Sequence, residues 1–461
     1  MARAPHIVAA LMLAAACAGC SILDPYDIVG RAHSAAPTIP DAYVPETDVA
    51  LGREGRLRAF DFVWNTIERR YHDPSYNGVD WKAVGERYRP LALAAPDDEA
   101  FWDVLDRMTG ELHDSHTRVE SPLDAQLRRH DQAITIGISI LPVEGKLAVA
   151  TVDPRADAWW AGVRPGMTVL AIDGKPAARA YGELLAHTRQ ASTDRARHLA
   201  AMRRLVHRAP GSKVSFTFER ADGTRLEATL ERRRIDRPHV EAHRLLPSGF
   251  GYVRFSQWTI GLTLRALDGL DALRSAPGIV IDLRGNPGGS VHAVNLMLER
   301  FFREPTELGR ATTRNGKPIS MLAGTVDIIR LHRKLRGDPN AYRGPVAILV
   351  DSGSASGSEL FAGTMQATGR AKVVGQPSCG CLLGFLGYAA VPGGAELAYS
   401  EVGFVLTNGH RIEGEGVIPD VEVPLSLHDL RLFRDRTLEA AEALLDRLAQ
   451  EAPGAARKDA R

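Results

Sequence analysis

Three serines alternate with small residues in the run Ser354-Ala355-Ser356-Gly357-Ser358-Glu359. A serine hydroxyl is a weak nucleophile until a base takes its proton, so such a run does chemistry only with a partner from elsewhere in the chain. The same residues also suit a tight turn and a helix N-cap, and the local sequence leaves both readings open. Fifteen histidines could serve as the base. One of them, His116, stands in Leu112-His113-Asp114-Ser115-His116-Thr117. Paired glycines close the run Ile281-Asp282-Leu283-Arg284-Gly285-Asn286-Pro287-Gly288-Gly289, where backbone without a Cβ can approach a reacting centre. A fourth stretch is Gly416-Val417-Ile418-Pro419-Asp420. The four cysteines form two close pairs, Cys17 with Cys20 and Cys379 with Cys381. Neither pair has the spaced Cys or His partners of a zinc site, and no metal or other cofactor is expected.

These residues need elements to hold them. The apolar runs GIVID and VAILV read as buried parallel strands covered by helices, each leading into one of the turns above. A strand entering the serine turn and a helix leaving it put Ser356 at a helix N-terminus, where free amides favour negative charge. Between Ala133 and Arg234 the texture is short β-rich runs (ITIGISI, KLAVATV, TVLAIDG, KVSFTFE, RLEATLE) broken by Gly and Pro. From Leu51 to about Thr109, Phe60, Val63, Ile67 and Tyr71, then Phe101, Val104, Leu105 and Met108, recur at helical spacing and predict a small helical cap. Leu438 to Leu448 reads as an amphipathic helix, and the residues after Pro453 as a disordered tail.

The chain has 461 residues, of which 44% are hydrophobic and 25% charged, an ordinary globular composition for several domains. Lys plus Arg is 57 and Asp plus Glu is 56, which leaves no basic field to gather nucleic acid. At the N-terminus, Arg3 precedes an apolar run from Ile7 to Ala16, too short to span a bilayer. The Ala18-Gly19-Cys20 that follows resembles a bacterial lipoprotein signal, with Cys17 where such signals usually carry Leu. On this reading residues 1–20 form the signal segment, Cys20 is lipidated and becomes the new N-terminus, and Ser21 favours the outer membrane. Residues 21–50, with Pro25, Pro37, Pro40 and Pro45, form a tether. A soluble exported protein is the alternative.

The four stretches, in their order along the chain, resemble the motifs of the C-terminal processing and tricorn-like serine peptidases. That resemblance implies a multidomain α/β protein: a helical cap (51–128), a PDZ-like domain (129–236), a crotonase-like peptidase core (237–430) and a C-terminal helix and tail (431–461). It makes Ser356 the nucleophile. Where one branch of the family carries a lysine base, this chain has Cys381, and Lys372 falls on a strand with no such role. The tricorn-like branch uses a Ser-His-Ser-Glu tetrad, which maps onto Ser356, His116, Ser115 and Glu413, with Glu415 a second candidate for the last. The oxyanion hole would combine the Gly357 amide with one from Gly288-Gly289. Asp282 and Arg284 are expected to be structural.

In the PDZ-like domain, Ile136, Gly137 and Ile138 would receive a substrate's C-terminal carboxylate, with the peptide added to an exposed strand edge. Cys379 and Cys381 are expected to pack as small apolar residues rather than to bridge, with reactive thiols as the alternative. The resemblance therefore implies an endopeptidase of the cell envelope that acts on unfolded or C-terminal polypeptide segments. It would touch the membrane through its lipid only and would not bind nucleic acid; its oligomeric state stays open. The alternatives are a catalytically silent peptide-binding scaffold and a non-proteolytic hydrolase using the same site.

Overall fold

Apolar residues at helical spacing build the N-terminal region of the chain. In the computed structural model, which describes residues 24–28, 31, 51–206, 208–322 and 324–451, they lie on helices α1 (Arg53–Arg70), α2 (Trp81–Leu93) and α3 (Asp98–Gly110). Phe60, Val63, Ile67, Tyr71, Phe101, Val104, Leu105 and Met108 are all buried, in one cluster. Asp80 and Asp97 cap α2 and α3 by accepting the amides of Ala83 and Ala100. The signal reading of residues 1–20 with Cys20, nearly all of the tether, and the tail after Pro453 lie outside the described residues.

The chain divides into two compact units. The first comprises Met1–His130, Gly309–Arg333 and Leu383–Val405; the second comprises Asp131–Leu308, Lys334–Leu382 and Leu406–Arg461. The segments 309–333 and 383–405, assigned from sequence to the peptidase core, thus cluster with the N-terminal helices. They do so by strand pairing. Arg118–Glu120 runs antiparallel to Glu396–Ala398, and Arg310–Thr313 antiparallel to Val402–Val405.

The second unit holds two larger sheets and the two-stranded pair Gln132–Thr135 with Arg233–Asp236. Its β-rich region is antiparallel in the order β1 (Ile138–Val143), β2 (Lys146–Val152), β3 (Thr168–Ile172), β4 (Lys213–Glu219), β5 (Arg225–Glu231), which leaves β1 at an edge. Helix α4 (Asp194–Val206) accompanies it, an element the β-rich reading of that segment did not contain.

The other sheet runs β6 (Glu241–Leu245), β7 (Gly251–Phe255), β8 (Ile279–Asp282), β9 (Val346–Val350), β10 (Lys372–Gly375), β11 (Val421–Glu422). Only β6 is antiparallel to its neighbour; the rest are parallel, as the unbroken apolar runs predicted. Val280, Ala347 and Leu349 pack against Leu444 and Leu445 of α8 (Arg436–Glu451). The alternate residues Ile281 and Ile348 are equally buried on the opposite face. Between these strands lie helices α5 (Ile260–Ala272), α6 (Val291–Glu299) and α7 (Gly357–Ala367).

Candidate active site

Parallel pairing of β8 with β9 delivers two loops to the same end of the sheet: the glycine turn after β8 and the serine turn after β9. A web of hydrogen bonds ties them together. Asn286, fully buried, accepts the Ala355 amide (3.1 Å) and the Ser358 hydroxyl (2.9 Å) on its backbone oxygen. Ser358 Oγ in turn accepts Trp258 Nε1–H at 2.9 Å. Ser354 Oγ donates to Leu283 O (2.8 Å) and accepts the Asp351 amide (3.0 Å). Of the three serines in the run, the outer two are therefore structural, each fully buried and bonded.

Ser356 is different. Its backbone stands at φ +52°, ψ −112°, a conformation that costs a residue with a Cβ about 1–3 kcal/mol unless its surroundings enforce it. The Ser356 N–H is shared between Cys381 O and Glu359 Oε2, both at 3.0 Å. Its carbonyl accepts the first intrahelical bond of α7, from the Leu360 amide at 2.9 Å. The amide of Gly357 thus belongs to the first turn, where N–H groups have no intrahelical acceptor.

Gly288, at φ +97°, presses on this turn: a Cβ there would lie 2.6 Å from Gly357 N. A Cβ on Gly357 would sit 3.3 Å from Gly289 N, so those two amides are neighbours. The Gly288 amide, however, donates to Asn286 Oδ1 at 3.0 Å. That corrects its expected part in an oxyanion hole. Gly288 leaves room for the turn, and of the glycine pair it is Gly289 whose amide lies beside Gly357.

Glu359 went unassigned from sequence, yet it is the hub of the site. Its Oε1 accepts Ser378 Oγ–H (2.5 Å) and the Gly380 amide (2.6 Å), and its Oε2 accepts the Ser356 and Cys381 amides. Burial pushes this carboxyl up to about 7, against the hydrogen bonds that favour its charge.

The turn it holds contains a disulfide, Cys379–Cys381, which overturns the expectation of two packing residues. Gly380 at φ +75° bends the chain so that the two Cα atoms stand 5.2 Å apart, within bridging range. Thr193 and Arg195, at the start of α4, bond the carbonyls of Cys379 and Ser378.

Glu413 joins the same network: its Oε2 accepts the Leu382 amide (2.6 Å), and the next amide, of Gly414, bonds Gly380 O (2.9 Å). Glu415 points outward, its side chain 68% exposed, with His410 at 3.6 Å. Lys372 pairs with Asp420 at 2.8 Å. Asp282 and Arg284 form an ion pair that extends to Asp435 and Tyr252, and both have structural partners throughout.

In the first unit, Ser115 and His116 lie on the loop after α3. Asp114, fully buried, accepts the His116 amide at 2.7 Å and the Thr117 hydroxyl. Thr117 Oγ1 accepts the Ser400 amide at 3.0 Å, which ties the loop to the segment 383–405. Burial raises the Asp114 carboxyl, but the adjacent His116 and the Thr117 and Ser400 hydroxyls outweigh it and hold it below the usual range. The His116 imidazole, mostly buried, faces the Phe385 ring at 6.1 Å. Asp114 was visible in its motif; only its burial reveals what it does.

In the β-rich region, Gly137 (φ +79°) joins the strand Gln132–Thr135 to β1, between the buried Ile136 and the half-buried Ile138. Its amide already donates to Thr135 Oγ1 at 3.0 Å. A carboxylate arriving there would meet an amide already bonded within the turn.

The model of Peptidase family S41 matches residues 249–423, and that of the Tricorn protease C1 domain matches residues 53–110. Tricorn protease homolog 2 of Streptomyces coelicolor is 26% identical over 395 residues, 79% of this chain; the chain spans only 30% of that relative's length. A carboxyl-terminal-processing protease of Synechocystis is 27% identical over 420 residues, 87% of this chain and 90% of its own. The structure of the photosystem II D1 C-terminal processing protease aligns over 85% of this chain and 97% of that one. Its TM-score is 0.53 at 22% identity, a likeness of fold. With the S41 model falling on the stretch that holds the serine turn, the glycine turn and Glu413, and the tricorn model on the N-terminal helices, the chain belongs to peptidase family S41 and is a serine-type peptidase.

Proposed function

We propose that this peptidase cuts unfolded or C-terminal polypeptide segments with Ser356 as nucleophile and His116 as base. Ser356 Oγ attacks the scissile carbonyl carbon and gives its proton to the imidazole. The carbonyl oxygen, now negative, is met by the amides of Gly357 and Gly289. The imidazole then passes the proton to the leaving amine, the C–N bond breaks, and an acyl ester remains on Ser356. Water, deprotonated by the same imidazole, releases the acid. Ser115 and Glu413 orient the ring. The observation that carries this reading is the forced backbone of Ser356, at the start of α7, with two glycine amides beside it. The pairing of Lys372 with Asp420 and the presence of Cys381 at the lysine position favour histidine over lysine as base.

The β-rich region acts as a PDZ-like module beside a crotonase-like core and receives the substrate's C-terminus on the β1 edge. Supporting this, β1 has a sheet neighbour on one side only. Strand addition there would supply main-chain bonds without demanding a particular sequence. The protein is exported and tethered through Cys20; detergent partitioning should move to the aqueous phase in Cys20→Ala.

A fluorophosphonate should label the wild type and leave Ser356→Ala unlabelled. His116→Ala should keep its thermal transition and lose peptide turnover by about 10³-fold or more. Full turnover in that variant would return the base to another residue.

A further inference from the structure

We propose that the Cys379–Cys381 disulfide is a positioning element for the nucleophile, closing the turn that fixes the backbone of Ser356. This rests on the reading of Ser356 given above. The turn reaches Ser356 by two routes. Cys381 O accepts the Ser356 amide directly, and the Cys381 and Gly380 amides bind Glu359, which accepts that same Ser356 amide. On its other side the Cys379 amide bonds Ser354 O at 3.0 Å, inside the serine run itself. The bridge thus joins the two residues that grip the run at both ends.

Its effect is geometric. An unconstrained extended chain separates residues two apart by about 6.6–7.2 Å, whereas here the Cα atoms are 5.2 Å apart. Without the bond the turn can open by up to about 1.4–2.0 Å, and Cys381 O and its amide move with it. Displacement on that scale at a reacting centre costs up to about 10²-fold in rate. The remaining clamps, Gly414 on Gly380 O and Thr193 on Cys379 O, absorb part of it. Ser356 is held in a conformation it would leave if released, so a loosened turn lowers the fraction of molecules with the hydroxyl aimed correctly. Substrate contacts away from the turn are unchanged.

The test compares the full-length oxidised protein with two forms lacking the bond. In the first, dithiothreitol supplies two electrons and two protons; the S–S bond becomes two thiols and the reagent its cyclic disulfide. Mass spectrometry confirms the gain of two hydrogens. In the second, both cysteines are replaced, Cys379→Ala with Cys381→Ala. The expected result is a kcat about tenfold lower with KM within about twofold, slower fluorophosphonate labelling and a retained thermal transition. Reoxidation with glutathione disulfide, which becomes two thiols as the S–S bond re-forms, should return kcat to the oxidised protein's value, which a mere loss of fold would not. Unchanged kcat in either form lacking the bond overturns the proposal, as do free thiols in the oxidised protein. Loss of labelling in Ser356→Ala beside unchanged kcat on reduction would leave the nucleophile standing and remove only the bridge.

Discussion

The loop that carries His116 and the turn that carries Ser356 solve one problem in the same way. In each, a fully buried carboxylate accepts the backbone amide of the residue we propose does the chemistry: Asp114 for His116, Glu359 for Ser356. Each side chain is thereby placed through its own backbone. The two carboxylates differ in what surrounds them. Asp114 has His116 beside it and is held below the usual range; Glu359 has only neutral donors and is pushed up to about 7. One support keeps its charge below the usual carboxylate range, and the other titrates near neutrality.

Replacing Glu359 by Gln keeps the shape but turns an NH₂ group toward amides that themselves donate. We expect kcat to fall about 10–100-fold with KM little changed. Because the folded value lies above the ordinary one, its contribution is full below pH ~4.5 and lost as pH rises toward about 7. Thermal midpoints should therefore fall across that window in the wild type and not in Glu359→Gln. Parallel slopes would mean that Glu359 stays ionised throughout, and the contrast with Asp114 would collapse.

Asp114→Asn should have the next largest effect, about a tenfold loss of kcat together with a lower thermal midpoint at pH 7. Here the sign reverses. The folded value lies below the ordinary one, so the contribution is full above pH ~4 and lost as pH falls through the folded value. The gap between variant and wild type should narrow in urea titrations below pH ~4. A gap that widened in acid would show Asp114 to be neutral in the fold.

Lys372→Met should do least, changing turnover by less than about twofold, since an exposed ion pair contributes about 0–1 kcal/mol. A large loss on that substitution would make Lys372 a rival to His116 as base.

What sequence made legible follows the physics of each element. The helical stripes of α1 and α3 and the apolar runs of β8 and β9 were readable because burial of a whole face leaves a periodic or continuous signature. The strands of 309–333 and 383–405 were not, because what recruits them to the N-terminal helices is pairing with partners far away in the chain. The same holds within the site. Ser356 and the glycine pair could be named from their motifs, but the occupied amides of Gly288 and Gly137 depend on Asn286 and Thr135 being turned toward them. Glu359 ended the serine motif in plain view. Its importance lies in four donors converging on it, three of them from other segments or turns, and no local pattern encodes that.

The twist of the chain at Ser356 has a consequence for mutation. Glycine alone adopts φ +52°, ψ −112° without penalty, so Ser356→Gly should melt later than the wild type even after the extra freedom glycine adds to the unfolded chain. Ser356→Ala, which keeps a Cβ, should gain nothing in the same melting experiment. A dead enzyme at this position would then be sturdier than the living one. Quality control that removes unstable proteins would not clear it, and only the demand for cut substrate keeps serine there.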